Sequence, residues 1–121
     1  MIPPGGEQAR DKLTTDDLER IISHYSQVIQ LDPDFAVAYF NRGLAYYSKG
    51  DPDRAVSDWN AAIRLNPADA EAYFYRGLAY DEIGDKESAI ADLHKALELC
   101  DDHSELLCQN AQQLLEKLGA K

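Results

Sequence analysis

The chain has 121 residues, 45 % of them hydrophobic and 28 % charged, with a formal net charge of -10. This length bounds the chain to one domain, and the acidic balance excludes a nucleic-acid partner, whose phosphates require clusters of Lys and Arg. No apolar run is long enough to span a bilayer, and the same charge disfavours anionic lipid surfaces, so no membrane partner is expected.

The first 13 residues contain two prolines and two glycines among mostly polar side chains. They bury too little apolar surface to offset the entropy of ordering, which predicts a flexible N-terminal segment over 1–13. The segment also lacks the apolar core of a signal peptide. The only two cysteines, Cys100 and Cys108, make no disulfide framework and fit a reducing compartment. We therefore expect a cytoplasmic protein.

Residues 14–31 are predicted to form the first helix. Thr14 and Thr15 can accept a free backbone N–H, and the acids that follow suit the positive end of a helix dipole. Apolar side chains then recur at helical spacing as far as Leu31, and Asp32-Pro33 ends the pattern.

An internal repeat occupies most of the remaining chain. Residues 36–65 recur as residues 70–99, a shift of 34 positions, with half of the aligned positions identical. Each copy is predicted to hold two helices, divided by Gly50-Asp51 in the first and Gly84-Asp85 in the second. Gly can take the left-handed conformation that ends a helix, and Asp caps the next one.

A last helix is predicted over 104–118, where Asp102 and Glu105 have capping-box spacing and Gly119 ends the pattern. Gly43 and Gly77 lie inside the first helix of each copy. Gly costs about 1 kcal/mol relative to Ala in a helix interior, so we expect both to face a closely packed partner helix.

The repeat keeps large, small and aromatic side chains at fixed positions. They are Tyr39, Gly43, Tyr46, Ala55, Trp59, Ala62 and Pro67 in the first copy, and Tyr73, Gly77, Tyr80, Ala89, Leu93 and Ala96 in the second, where Asp101 replaces the closing Pro. In this pattern the chain resembles the tetratricopeptide repeat (TPR) family. The resemblance implies an all-α fold, an α–α superhelix of about six helices in antiparallel pairs. It divides the chain into a half repeat over 14–33, repeats over 34–67 and 68–101, and a C-terminal capping helix over 102–121.

The resemblance also implies a concave groove, lined by the first helix of each pair. The residues assigned to it are Val37, Phe40, Asn41, Leu44, Tyr47 and Ser48 from the first repeat, Glu71, Phe74, Tyr75, Leu78, Asp81 and Glu82 from the second, and Glu105, Cys108, Gln109, Gln112 and Glu116 from the terminal helix. Positions that differ between the copies, such as Asn41 and Tyr75, are the better candidates for partner choice. The recurring positions either face a ligand or form the core between repeats: Phe40, Leu44, Phe74 and Leu78.

The function that follows is a protein–protein interaction module that binds a peptide or an amphipathic helix in this groove, without cofactor. Acids near the groove favour Lys or Arg on the partner. Repeats that clamp the carboxylate of chaperone tails carry Lys and Asn where this chain has Phe40 and Leu44, so a clamp is not expected. Three alternatives stay open. They are self-association through the groove or the terminal helix, where Leu106 and Leu115 lie partly off the main apolar seam, a fragment of a longer array, and a minor catalytic or metal role at the cysteine pair.

One cluster resembles metal ligands: Cys100, Asp101, Asp102, His103 and Cys108. Its spacing matches neither paired CxxC motifs nor a zinc finger, so no metal is predicted. The sequence contains no phosphate-binding Gly loop and no nucleophile elbow, and we predict that the protein is not an enzyme.

Overall fold

The computed structural model describes residues 13–119, and all regular structure in that part of the chain is helical. The helices are α1 (Thr15–Leu31), α2 (Ala36–Lys49), α3 (Pro52–Leu65), α4 (Ala70–Ile83), α5 (Lys86–Leu99) and α6 (Glu105–Lys117), with one turn of 3-10 helix at Asp102–Ser104 before α6. The predicted all-α fold of six helices is confirmed. The flexible segment predicted over 1–13 lies, apart from Leu13, outside the described residues.

Helices that follow one another in the chain pack against one another, from α1 on α2 to α5 on α6. Short connections make such neighbours antiparallel, so α2, α4 and α6 run in the same direction. Contacts of α2 with α4 and of α4 with α6 place these three helices side by side. None of the helices in residues 13–119 combines the length and hydropathy needed to cross a bilayer.

Side-chain caps set the helix ends. Thr14 and Asp17 form a capping box at the start of α1, and Asp51 and Asp85 accept backbone N–H bonds at the starts of α3 and α5. The first helix of each pair ends at a glycine with positive φ, which is 92° at Gly50 after α2 and 101° at Gly84 after α4. The predicted division of each copy into two helices therefore has the expected local cause.

The start of α6 differs from the prediction. The capping box there is formed by Asp101 and Ser104 instead of Asp102 and Glu105. Five residues, 100–104, connect α5 to α6, whereas four residues, 66–69, connect α3 to α4. The additional residue belongs to the 3-10 turn, and it shifts α6 by one position relative to the internal repeat.

Small residues let the paired helices approach. A Cβ built on Gly43 would lie 2.6 Å from Nε1 of Trp59, and one on Gly77 would lie 3.2 Å from Cγ of Leu93. Both glycines therefore face a partner helix, as predicted. Leu115 is only 1 % exposed and packs in the core with Leu93. The prediction that Leu115 lies off the apolar seam of α6 is therefore wrong.

Candidate functional site

The surface shared by α2, α4 and α6 is the candidate site, and we call it the groove. Where α2 meets α4 its floor is aromatic: the rings of Phe40 and Tyr75 meet edge to face with their centroids 5.8 Å apart. Both rings pack on the buried indole of Trp59, whose Nε1–H donates a hydrogen bond of 3.1 Å to the carbonyl oxygen of Phe40. Tyr47 packs on the same indole. The floor is thus fixed in place by the core beneath it.

The recurring apolar positions divide between core and groove. Phe74 is only 7 % exposed and packs with Leu93 and Leu115 between α4, α5 and α6. Phe40, Leu44 and Leu78 are half-buried, so each contacts the core and also presents part of its side chain to solvent. Phe74 therefore contributes mainly to packing, and the other three serve both purposes.

Two cavities lie between α4 and α6. The first, of about 320 Å³, is lined by Glu71, Phe74, Tyr75, His103, Ser104, Leu106, Leu107 and Asn110. The second, of about 260 Å³, is lined by Phe74, Leu78, Asn110, Gln113, Leu114 and Lys117. They share Phe74 and Asn110, so they lie next to each other along the groove. Leu106 is 69 % exposed at its edge.

The residues that α6 contributes to the groove differ from those predicted. Gln109 and Gln112 line a different cavity, of about 400 Å³, together with Leu97 of α5, and neither of them lines the two cavities between α4 and α6. Glu105 and Cys108 also lie outside these two cavities. The side chains of α6 that face α4 are Leu106, Leu107, Asn110, Gln113, Leu114 and Lys117. The predicted positions assumed the repeat spacing of 34, and the longer connection before α6 rotates a different face into the groove.

Negative charge collects in the last turn of α4, whereas the last turns of α2 and α6 each hold a lysine, Lys49 and Lys117. Asp81 and Glu82 lie in the last turn of α4, which contains no basic residue. Burial raises the pKa of the Tyr47 hydroxyl on α2, and the negative charges of Glu82 and Asp81 raise it further. In residues 13–119 neither carboxylate lies within ion-pair distance of a Lys or Arg. These two carboxylates of α4 therefore attract cations.

Three further predicted residues have simpler surroundings. The Nδ2 group of Asn41 donates a hydrogen bond of 3.1 Å to the Tyr25 hydroxyl, so its amide ties α2 to α1. Ser48 and Glu71 are exposed, Ser48 beside the acidic end of the groove and Glu71 at the opposite end, in the wall of the first cavity.

A buried ion pair that recurs in both repeats was not anticipated. Arg42 donates to both carboxylate oxygens of Asp58, at 2.8 and 2.7 Å, and to the Ser26 hydroxyl at 3.1 Å. This arrangement joins α1, α2 and α3, and hydrogen bonding to Asp58 raises the pKa of the Arg42 guanidinium although burial opposes it. The signal was present in the sequence, because both residues are identical in the two copies.

The second repeat holds the same arrangement. Arg76 donates to both oxygens of Asp92, each at 2.7 Å, and to Oδ1 of Asn60 at 2.9 Å. Its guanidinium also lies over the rings of Tyr73 and Tyr80, at 5.5 and 5.7 Å from their centroids. These contacts turn toward α3 and α5, away from the groove, and their role is to hold consecutive helices together.

The state of the two cysteines differs from the reducing compartment that the sequence suggests. Cys100 and Cys108 form a disulfide, with their Cα atoms 6.0 Å apart, so their sulfurs are not metal ligands in this structure. Within residues 13–119 no group of three or more His, Cys, Asp and Glu side chains is arranged to hold a metal ion. Disulfides are typical of oxidising compartments, so the cysteines no longer support the cytoplasmic location, which stays a prediction.

Comparison with known families gives two matches. A family described as tetratricopeptide repeat matches residues 40–104, and one described as TPR repeat matches residues 17–50. Comparison with curated protein sequences gives no match.

Solved structures similar to this chain include two peptide complexes of one protein. The second TPR of Spaghetti (RPAP3), bound to the HSP90 peptide SRMEEVD, is 30% identical with a TM-score of 0.68, over 69% of this chain and 78% of that chain. The first TPR of the same protein, bound to the same peptide, is 26% identical with a TM-score of 0.75, over 94% and 90%.

A third similar structure is the type III secretion chaperone SycD of Yersinia enterocolitica, in complex with a peptide of the translocator YopD. It is 17% identical with a TM-score of 0.81, over 86% of this chain and 81% of that chain. At this identity the likeness concerns the fold alone.

Proposed function

Because this chain belongs to the tetratricopeptide repeat family, we propose that it is a non-catalytic module that holds a peptide or an amphipathic helix of another protein in its groove. The observation that carries the proposal is the pair of adjacent cavities between α4 and α6, which lie beside the aromatic floor of α2 and α4. Rigid aromatic side chains supply contact area at little cost in conformational entropy. The HSP90 peptide in the two complexes of Spaghetti (RPAP3) supports the same kind of ligand.

The partner that this groove favours combines apolar side chains with Lys or Arg. Half-buried Leu44, Tyr75 and Leu78 offer apolar contact, while Asp81 and Glu82 offer negative charge near the ends of α2 and α4. The carbonyl ends of these helices add negative potential. A basic side chain placed there would gain hydrogen bonds and charge neutralisation in the same contact.

An acidic peptide such as SRMEEVD suits this groove less well. Among the described residues that line the two cavities between α4 and α6, Lys117 is the only Lys or Arg. A peptide carboxylate would instead meet Glu71 at one end of the groove and Asp81 with Glu82 at the other. We therefore expect basic amphipathic peptides to bind more tightly than SRMEEVD.

Selection from a random peptide display library tests the proposal, because it requires no assumption about the sequence of the partner. Peptides recovered with the unaltered chain should be enriched in large apolar residues and in Lys or Arg. Tyr75→Ala and Glu82→Lys should each weaken their binding by about tenfold, as expected for a contact of roughly 1.4 kcal/mol. Glu116→Lys is the matched control, because it makes the same charge change on an exposed position outside the two cavities.

Several outcomes of this selection would contradict the proposal. Recovered peptides that bind all three variants equally would show that they do not use the groove. Recovered peptides rich in acids, or tighter binding of SRMEEVD than of the basic peptides, would reject the basic partner while leaving a peptide-binding groove.

Self-association is the second candidate function, and exposed Leu106 is the observation that favours it. This side chain lies at the rim of the first cavity, so a second copy of the chain would compete with a peptide for the same surface. Sizing chromatography over a dilution series separates the two roles. A monomer at all concentrations, unchanged by Leu106→Ser, rejects self-association, whereas a dimer that Leu106→Ser dissociates supports it.

A further inference from the structure

The Cys100–Cys108 disulfide lies at the connection between α5 and α6. Cys100 is the C-cap residue of α5, and Cys108 lies in the first turn of α6, so the bond closes the whole connection between the two helices. The connection itself packs little, because Asp101, Asp102 and His103 are all exposed.

This connection leads directly into the groove wall. Leu106 and Leu107, the two residues before Cys108, line the first cavity together with Glu71 and Tyr75 of α4. The deeply buried anchors of α6 come later in the helix, at Ala111 and Leu115. Leu107 itself is half-buried against the core, and the disulfide adds a covalent constraint on the part of α6 that borders the groove.

The disulfide is also open to reagents. Cys100 and Cys108 are half-buried and line a cavity of about 510 Å³ with Asp101, Asp102, Glu105 and Gln109. A small thiol can enter such a cavity. Three carboxylates at its wall repel anions, so a neutral dithiol has easier access to the sulfurs than an anionic monothiol such as glutathione.

We propose, building on the proposed function, that this disulfide is a redox switch for the groove: oxidised, it holds the first turn of α6 against α4 in a binding-competent wall, and reduced, it releases that turn. A dithiol supplies the electrons. Its thiolate attacks one cysteine sulfur, the S–S bond breaks, and the other cysteine leaves as a thiolate that takes up a proton. The second thiol of the dithiol then attacks the reagent sulfur of the mixed disulfide, and the first cysteine leaves as a thiolate and is protonated. The protein then carries two cysteine thiols, and the reagent is a cyclic disulfide.

Amide hydrogen exchange tests the switch without any ligand. On reduction with dithiothreitol, amides 105–110 should exchange about tenfold faster or more, because the constraint on the connecting loop is gone, while amides of α2 and α3 should be unchanged. The double variant Cys100→Ser/Cys108→Ser should behave as the reduced chain with or without dithiothreitol. Equal exchange of residues 105–110 in both redox states would overturn the switch, as would two free thiols after mild oxidation.

Binding connects the switch to the groove. The affinity of a peptide recovered by display on the oxidised chain should fall about fivefold or more on reduction, the lower range of coupling between sites, and the double serine variant should show the weaker affinity throughout. Equal affinity in both states overturns the switch. If no peptide binds in either state, the proposed function fails and no groove exists to be switched, whatever the exchange measurement shows.

Discussion

Two glycines at equivalent positions face different neighbours, and this difference gives a prediction. A Cβ on Gly43 would meet the ring of Trp59 at 2.6 Å, whereas one on Gly77 would meet the side chain of Leu93 at 3.2 Å. The indole of Trp59 is fixed by its hydrogen bond to Phe40, but a leucine side chain can yield by a few tenths of an ångström.

Gly43→Ala should therefore lower the free energy of unfolding by about 1–2 kcal/mol, because overpacking outweighs the gain in helix propensity. Gly77→Ala should cost clearly less, since the same gain of about 1 kcal/mol offsets a milder contact. Urea denaturation of the two variants checks the order. Equal stability of the two variants would show that the Trp59 ring moves freely.

The negative charge of Glu82 is unfavourable at its position in α4. It lies in the last turn of α4 without a basic neighbour in that turn, and a negative charge near a helix C-terminus opposes the dipole. Glu82→Gln should raise the free energy of unfolding by about 0.3–1 kcal/mol, the usual size of a dipole interaction. A residue that costs stability and aids binding is typical of a functional site. A thermal melt that shows the variant less stable than the unaltered chain would contradict this explanation.

At the scale of the helices, each recurring Arg–Asp pair is a buried ionic link between two of them. Asp92 is 5 % exposed, and it accepts both hydrogen bonds from Arg76 across α4 and α5. Removing one partner of such a pair leaves the other charge buried alone, so Asp92→Ala should cost about 3 kcal/mol of stability. The double variant Arg76→Met/Asp92→Leu should recover much of that loss, since it leaves no unpaired charge.

Glu98→Ala is the control for this pair, because it removes a surface contact of 3.4 Å to Lys95 and should cost less than about 1 kcal/mol. Urea denaturation of the four proteins gives the comparison. An Asp92→Ala variant as stable as Glu98→Ala would show that the buried pair does not link α4 to α5.

Helix caps predict how stability depends on pH. Hydrogen bonds from Ser88 lower the pKa of Asp85 below its ordinary value of 3.8, and those from Ser104 and His103 do the same for Asp101. A lowered pKa in the folded state means that the unfolded chain binds the proton more tightly. The contribution to stability is therefore fully present above about pH 4 and is lost as the pH falls through the folded-state value.

Urea denaturation at about pH 6 and about pH 3 measures this loss. Asp85→Asn keeps an acceptor at the cap but removes its titration, so it should lose less stability on acidification than the unaltered chain. An identical acid loss in the two proteins would exclude the Asp85 cap as a contributor.

The helices could be predicted from the sequence because residues at their ends, chiefly Gly and Asp, determine where they stop and start. Gly50 and Gly84 end α2 and α4, and the aspartates after them start the next helices. The start of α6 could not be predicted in the same way, since Asp101 and Asp102 both offer a capping carboxylate at usable spacing. Only the packed structure shows that Asp101 is the cap.

At the scale of the whole molecule, the 3-10 turn that Asp101 caps adds one residue before α6 and so determines which face of α6 borders the groove. The α2 and α4 parts of the groove follow from the internal repeat, because the two copies align without insertion. The α6 part could not be predicted, since the additional residue before it replaces Gln109 and Gln112 with Asn110 and Gln113. The disulfide is likewise a consequence of three-dimensional proximity, which the spacing of two cysteines does not encode.

The whole molecule presents two contrasting sides. One side carries the Arg–Asp pairs, whose charges neutralise each other within the helix stack. The other side carries the groove, where apolar side chains, acids and two adjacent cavities lie together, and where no Lys or Arg among residues 13–119 forms an ion pair with Asp81 or Glu82. Binding is therefore expected on the second side.

Chemical-shift mapping is the most direct way to measure whether this groove binds a basic amphipathic peptide. A display-selected peptide is titrated into the isotope-labelled chain, and shift changes are followed at every assigned amide. We expect changes concentrated at Leu44, Tyr47, Tyr75, Leu78 and Asn110. Changes concentrated instead around Arg42 and Arg76, on the opposite side, would contradict it.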